Sequence, residues 1–258
     1  MRGGWGPVLA LSKRSVVNTI RQPQFVIPSL FFPLFFAALN VASFNKSIGL
    51  PGFPKVDSFL DFMLAATVVQ GVLFGATGGG NDMAVDIQDG FFDRLVASPV
   101  PRWSILVGRL GGAAALGAAQ ATLFTGIMVL FGASIKGGIP SFLAIVVVSV
   151  VLAVAIGGFA VALALRSGSA EAVQASFPIF FISLFLSSAF FPRQLMHGWF
   201  KTAATYNPIS WMVEGLRNLV IRGFDLGQVG RALAVSGGLG VVSITLASLA
   251  LRSRVRSA

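Results

Sequence analysis

Six stretches of this chain run for 20 residues or more without an Asp, Glu, Lys or Arg: 22–45, 62–81, 110–135, 137–165, 172–192 and 232–251. No other uncharged run exceeds 12 residues. A helix rises about 1.5 Å per residue and a bilayer core is about 30 Å thick, so about 20 apolar residues span it. The chain is therefore expected to be an all-α integral membrane protein with residues 1–258 as a single membrane domain. Its six spans are placed at about 24–44, 60–80, 107–131, 141–165, 173–191 and 231–251. Charged residues make up 11% of the chain, against about 25% in a soluble domain, so little soluble protein is left to carry chemistry.

An even number of spans puts both termini on one side. With that side cytoplasmic, Arg2, Lys13, Arg14, Arg21, Arg94, Arg102, Arg109, Arg166, Arg252, Arg254 and Arg256 lie inside, eleven of the nineteen basic residues. Outside lie Lys46, Lys55, Lys136, Arg193, Lys201, Arg217, Arg222 and Arg231. This bias has the sign that sets membrane orientation. It accounts for the net charge of +10 without a nucleic-acid partner. Trp5, Trp103, Trp199, Tyr206 and Trp211 all fall outside the uncharged runs, where amphipathic rings favour the membrane interface. The composition, rich in Ala, Gly, Val and Arg, suits a bacterial plasma (inner) membrane protein with several passes.

Three connections carry further signals. In residues 1–22, Trp5, Val8, Leu9, Val16 and Ile20 form one helical face and Lys13, Arg14, Asn18 and Arg21 another, the pattern of an amphipathic helix lying on an anionic leaflet. Residues 193–228 form an outer region whose apolar middle, 202–213, is too short to span; two short outer helices or a re-entrant hairpin are expected there. Within the spans, Gly71, Gly75 and Gly79, and then Gly108 and Gly112, recur every four residues and let helix backbones approach. Pro28 and Pro33 are expected to kink the first span.

The span interiors hold no ionisable residue of the kind that binds a coupling ion. Asp57 and Asp61 near one end of the second span, and Arg109 near the start of the third, are read as snorkelling or interface anchors. None of the five lysines follows a glycine, so there is no P-loop. There is no cysteine, and the one histidine, His197, has no acidic neighbour, which leaves neither a metal cluster nor a nucleophile–base pair. An intramembrane enzyme is the remote alternative. If the chain transports, another subunit supplies the work.

Between the second and third spans, Asp82, Asp86, Asp89 and Asp93 stand at i, i+4, i+7 and i+11, on one helical face. Met83, Ile87, Phe91, Leu95 and Val96 supply apolar surface, and Ser98-Pro99 ends the segment. An acidic amphipathic helix over 82–98 is expected, with Phe91 and Phe92 as anchors for a cytoplasmic partner.

Asp86-x-x-x-Gly90-x-x-Asp93-Arg94, then Ser98-Pro99, then Gly108-Arg109, with Asn207-Pro208-Ile209, Glu214 and Arg217 before the last span, resembles the permease subunits of ABC-2-type exporters, in particular the daunorubicin-resistance-like drug exporters. The likeness covers nearly the whole chain. It implies half of a twelve-span dimer, formed with a second copy or a sister permease and worked by separate ATP-binding-cassette subunits. Those subunits would bind ATP and Mg, with no cofactor held in this chain. Asp86, Asp89, Gly90, Phe91, Phe92, Asp93, Arg94 and Pro99 would then belong to a coupling helix at about 82–98. Lys13, Arg14 and Arg21 would lie on a connecting helix, and Asn207, Pro208, Glu214 and Arg217 near an outer gate. Phe177, Phe181 and Phe185 of the fifth span would face a translocation path for hydrophobic or amphipathic cargo, drug-like or lipid. The family also exports lipid-linked glycans and polysaccharides.

Overall fold

The computed structural model describes residues 5–257, and every regular element among them is helical. In chain order these are α1 (Trp5–Ile20), α2 (Pro23–Phe44), α3 (Phe59–Ala76), α4 (Gly78–Gln88), α5 (Phe91–Ala97), α6 (Arg102–Leu130), α7 (Gly138–Ser167), α8 (Ala170–Ala175), α9 (Phe177–Phe185), α10 (Gly198–Tyr206), α11 (Pro208–Ile221) and α12 (Leu226–Ser257). Arg2 lies outside the described residues. Five segments are long and apolar enough to cross a bilayer: Val26–Gly49, Phe59–Gln88, Arg102–Leu130, Gly138–Ser167 and Leu226–Arg256. All five run beyond the uncharged runs at one end or both, because the helices carry their terminal charges with them.

The expected fifth span, 173–191, differs in form. Its apolar helix covers only Ala170–Phe185, about 24 Å of rise, and it is broken at Ser176 into α8 and α9. Pro178 lacks the N–H that would bond the Gln174 carbonyl, so a regular helix cannot run through this point. Ser169 caps α8 by accepting from Ala172 N at 3.2 Å. Its hydroxyl donates to the exposed Glu171 carboxylate at 2.6 Å.

Helix α3 is the axis of the bundle: Phe59, the run Asp61–Phe74 (Asp61 apart, apolar or uncharged throughout) and Ala76 are all buried, enclosed by α2, α6, α7 and α11. The outer helices bury one stripe each. On α2 the buried positions are Ser29, Pro33, Ala37 and Asn40, spaced i, i+4, i+8 and i+11, while Ile27, Phe31, Phe32, Phe35 and Leu39 are exposed. On α12 the exposed side chains include Val241, Val242, Ile244, Leu246 and Leu249. A water-soluble monomer does not carry apolar surface of this extent. The fold is that of a multi-pass membrane protein whose outer stripes meet lipid or another membrane chain. Helix α2 continues through both Pro28 and Pro33.

Small residues set the closest approaches. A Cβ at Gly71 would collide with the Phe124 ring, and one at Gly75 with the Gln120 carboxamide. Gly108 and Gly112 of α6 admit Leu11 and Ser15 of α1, and Ser12 donates to Gly108 O at 3.0 Å. Gly79 faces open space, so the second-span repeat packs at two of its three positions. Helix α1 therefore docks on α6 through Val8, Leu11 and Ser15, with Thr19 turned to α4, a stripe that shares only Val8 with the apolar face read from its sequence. Of that face Trp5, Leu9 and Ile20 remain exposed.

Asp61 is not an interface anchor. It caps α3 in a reciprocal pair with Ser58 (3.1 and 3.3 Å) and accepts from Ser134 N at 2.6 Å, tying the start of α3 to the loop after α6. Asp57 is exposed and pairs with Lys136 at 3.1 Å.

Candidate functional site

Where α1, α4, α5 and α6 meet, one end of the bundle holds a cluster of buried charge. Asp82 and Asp86 are one turn apart on α4 and face inward. Arg14 of α1 grips Asp86 with both terminal nitrogens, at 2.7 and 2.8 Å. Arg109, only 3% exposed, reaches Asp86 from α6 and approaches Asp82 at 3.8 Å. Gln22 donates to Asp82 at 2.8 Å, Asn81 to Gln22 at 3.3 Å, and Gln174 of α8 to Asn81 at 3.3 Å. Two acids and two bases balance, and hydrogen bonds carry the cluster from α1 to α8. A buried, charge-balanced set of this kind holds its helices in one arrangement, because removing any one charge strands another.

The same guanidinium of Arg14 lies 3.8 Å from the centre of the Phe91 ring, so one side chain bonds α4 and stacks on α5. Phe92 is buried in a second core with Met83, Ile105, Leu165 and Val173. Between α4 and α5 the chain turns at Gly90, whose φ of 69° is left-handed and costs a glycine little. The expected single helix over 82–98 is thus two helices. Its acidic face is divided: Asp82 and Asp86 are consumed inside, whereas Asp89, Asp93, Arg94 and Pro99 are exposed.

At the opposite end, Arg217 of α11 is buried and donates to three backbone carbonyls: Phe62 at 3.1 Å, Ser188 at 3.0 Å and Ala189 at 2.7 Å. Its guanidinium also lies 3.7 Å from the Phe62 ring centre. Asn207 caps α11 by accepting from Ile209 N at 2.9 Å and donates to Ser183 O at 2.6 Å, with Pro208 in the first turn. Glu214 pairs with Arg193, which sits 4.6 Å from the Trp211 ring centre. Along α9, Phe177, Phe181 and Phe185 form a ladder: Phe177 to Phe74 at 4.8 Å, Phe181 to Phe185 at 4.6 Å, and Phe185 to Phe36 at 5.7 Å.

The profile of the family described as ABC-2 type transporter matches residues 7–221, from α1 through α11 and both polar clusters. The chain belongs to the ABC-2 type transporter family. Among curated relatives of this ABC-2 chain, a daunorubicin resistance ABC transporter permease protein, DrrB1, of Streptomyces coeruleorubidus is 27% identical over 89% of this chain and 78% of its own length. A protein of Mycobacterium tuberculosis named as a probable doxorubicin resistance ABC transporter permease, DrrC, is 23% identical over 91% of this chain and 84% of its own. A protein of Porphyra purpurea named for transport-permease activity, ycf38, is 26% identical over 81% of this chain and 72% of its own.

In this ABC-2 chain the residues singled out from sequence fall into four groups. Arg14, Asp86, Gly90, Phe91 and Phe92 come together at the α1–α4–α5–α6 junction. Lys13, Arg21, Asp89, Asp93, Arg94 and Pro99 surround it on the surface. Asn207, Pro208, Glu214 and Arg217 lie at the other end on α11, and the phenylalanine ladder runs along α9. Arg109 is no snorkelling residue: it belongs to the charge cluster, and so do Asp82 and Gln22. The signal for it was present in the opposite signs of Asp82, Asp86 and Arg109, but no spacing rule relates residues on different helices.

Proposed function

We propose that this chain is the membrane-spanning permease subunit of an ATP-driven exporter that moves a hydrophobic or amphipathic, drug-like or lipid substrate out of the cell. Separate cassette subunits bind ATP and Mg, and the chain works in a dimer with a second copy or a sister permease in a bacterial plasma membrane. Helices α8 and α9, with the turn to residue 192, serve as the sixth crossing, both termini are cytoplasmic, and α10–α11 form the outer gate region. Helix α1 is the connecting helix, lying partly in the cytoplasmic interface.

The observation that carries the reading is the Arg14–Asp86–Arg109 cluster. It fastens α4, the short α5 and α1 to the α6 span. A push on the exposed Asp89–Asp93–Arg94 surface would reach the spans as rigid-body movement, since the ion pairs resist separation. Phe92 is already buried in the chain's own core, so docking falls to the exposed charges and Pro99. The names of the daunorubicin and doxorubicin resistance relatives support the choice of cargo class.

The reading is tested in lipid nanodiscs and inverted vesicles. The chain alone should hydrolyse no ATP; with its cassette subunit it should show ATPase activity and ATP-dependent uptake of daunorubicin. Asp89→Lys/Asp93→Lys should reduce recovery of the cassette subunit about tenfold at low salt, with the loss shrinking as ionic strength rises. ATP hydrolysis by the isolated chain in proportion to its purity, or wild-type transport and assembly by the double variant, would overturn it.

Sidedness has its own measurement. The chain has no native cysteine, so single-cysteine probes are clean. Lys46→Cys and Lys201→Cys, both at exposed positions, should react with an impermeant maleimide on intact cells. Asp89→Cys and Arg102→Cys should react only after permeabilisation. External labelling at Asp89 would reverse the orientation.

A further inference from the structure

Two of the helical segments, Phe59–Gln88 and Ala170–Phe185, break at the same height. Between α3 and α4 the break is at Thr77, whose hydroxyl donates to Phe74 O at 2.8 Å. Between α8 and α9 it is at Ser176, whose hydroxyl donates to Val173 O at 2.6 Å. Both side chains bond the carbonyl three residues back, a contact that competes with the helical ladder and bends it. The backbone tightens at both places: Gly80 N donates to Thr77 O and Ser176 N to Val173 O, each at 3.1 Å. This 3₁₀-type spacing inside a helix is a mark of hinges. The broken helices lie side by side, α4 against α8 and α3 against α9. On one side of the breaks Gln174 donates to Asn81 at 3.3 Å; on the other the Phe74 and Phe177 ring centres stand 4.8 Å apart.

Gly78, Gly79 and Gly80 follow Thr77 and open α4. Gly80 is explained by space, since a Cβ there would collide with Ala160, and Gly78 lies close against Thr19. Gly79 is different: a Cβ there would meet nothing within 4 Å, and its φ is not left-handed. Glycine weakens a helix relative to alanine. Where neither room nor handedness requires it, what it contributes is a backbone that turns easily. The attachment to α6 changes at this same level. Helix α4 is tied to α6 by the ion pairs of Arg109, whereas α3 rests on it through Gly71 against Phe124 and Gly75 against Gln120, uncharged contacts that can slide. A cleft of about 440 Å³ runs beside both breaks, bordered by Thr77, Gly78, Asn81, Gln174 and Phe177, so bending here meets less resistance than in a packed interior.

We infer that the two breaks form one hinge, across which α3 and α9 swing together against α4 and α8. The charge cluster holds α4 directly and α8 through Gln22, Asn81 and Gln174. A push delivered to that end reaches α9 by way of the paired breaks, with the Phe74–Phe177 contact keeping the two outer halves in step. The inference rests on the permease reading for its part in transport, but not for the paired motion itself.

The test starts with amide hydrogen exchange of the full chain in phosphatidylcholine nanodiscs, without any ATPase. Gly79→Ala adds a methyl group in open space and stiffens one break. Pro178→Ala, at an exposed position, restores a helical N–H and stiffens the other. Each variant should slow exchange about fivefold at both breaks, read at Asn81 N, which bonds Thr77 O, and at Ile179 N, which bonds Ser176 O. Exchange in α7 should keep its wild-type rate. Slowing confined to the substituted helix, or absent in both variants, would overturn the paired hinge. In the assembled complex Gly79→Ala should melt no lower than the wild type, retain its cassette subunit and lose about fivefold in transport per ATP hydrolysed. An unchanged ratio would take the hinge out of the transport cycle and overturn the proposal there. Paired slowing with no ATP-driven transport by the wild-type complex would remove the exporter reading and leave the hinge standing; transport by a chain whose two breaks exchange independently would do the reverse.

Discussion

Arg109→Leu is expected to destabilise the chain by about 3–5 kcal/mol, the usual cost of removing one partner from a buried ion pair. The reason is the company it leaves behind. Asp82 and Asp86 are both buried and only Arg14 remains to neutralise them. In detergent the unfolding midpoint should fall by on the order of 10 °C. The charge-balanced variant Arg109→Leu/Asp82→Asn keeps the bidentate Arg14–Asp86 pair and should recover at least half of that loss. The comparison separates charge from packing, since both variants remove the same guanidinium. A single variant that melts with the wild type would mean that Arg109 lies outside the cluster. Equal loss in single and double variants would mean that its packing, and not its charge, holds α6 to α4.

The second large effect is expected at the other end of the bundle. Arg217→Met should cost about 3 kcal/mol or more, because the Ser188 and Ala189 carbonyls lose a charged donor inside the protein. Arg217→Lys should do little better. One ammonium cannot take the place of a planar fork that reaches Phe62, Ser188 and Ala189 together. The change should be local as well as global. The turn after α9 is held to α11 by Arg217 and by Ser210, which accepts from Ser188 N at 3.0 Å. Amide exchange at Ser188 and Ala189 should therefore accelerate about tenfold or more relative to α7. Full rescue by lysine, or exchange rates unchanged in the methionine variant, would show that the turn is held by other contacts.

The two clusters sit at opposite ends of α3, and each ties a short or broken segment to a long one. At one end Arg14, Asp86 and Arg109 fix α1, α4 and α6. At the other, Arg217 fixes the turn after α9 to α11 and to the first turns of α3. The middle of the bundle is nearly free of such bonds and relies on apolar and small-residue packing, which permits small sliding between helices more readily than separation of charges.

The sequence by itself determined the solvent of this protein and the positions of its long helices. Uncharged runs need only counting, since each Asp, Glu, Lys or Arg at membrane depth is costly wherever the rest of the chain lies. That argument placed α2, α3, α6, α7 and α12 to within a few residues, and spacing of small residues marked Gly71, Gly75, Gly108 and Gly112 as packing positions. Counting could not see the break at Ser176, because Pro178 carries no charge yet removes a helical hydrogen bond. Nor could it divide the four aspartates of the 82–93 stretch. One helical period places them on one face, but Gly90 turns the chain midway and the basic residues that claim Asp82 and Asp86 come from α1 and α6. Tertiary structure alone decided which charges are buried, what Arg217 holds, and that the Gln120 carboxamide packs over Gly75, because each depends on distances between helices that the linear spacing of residues does not fix.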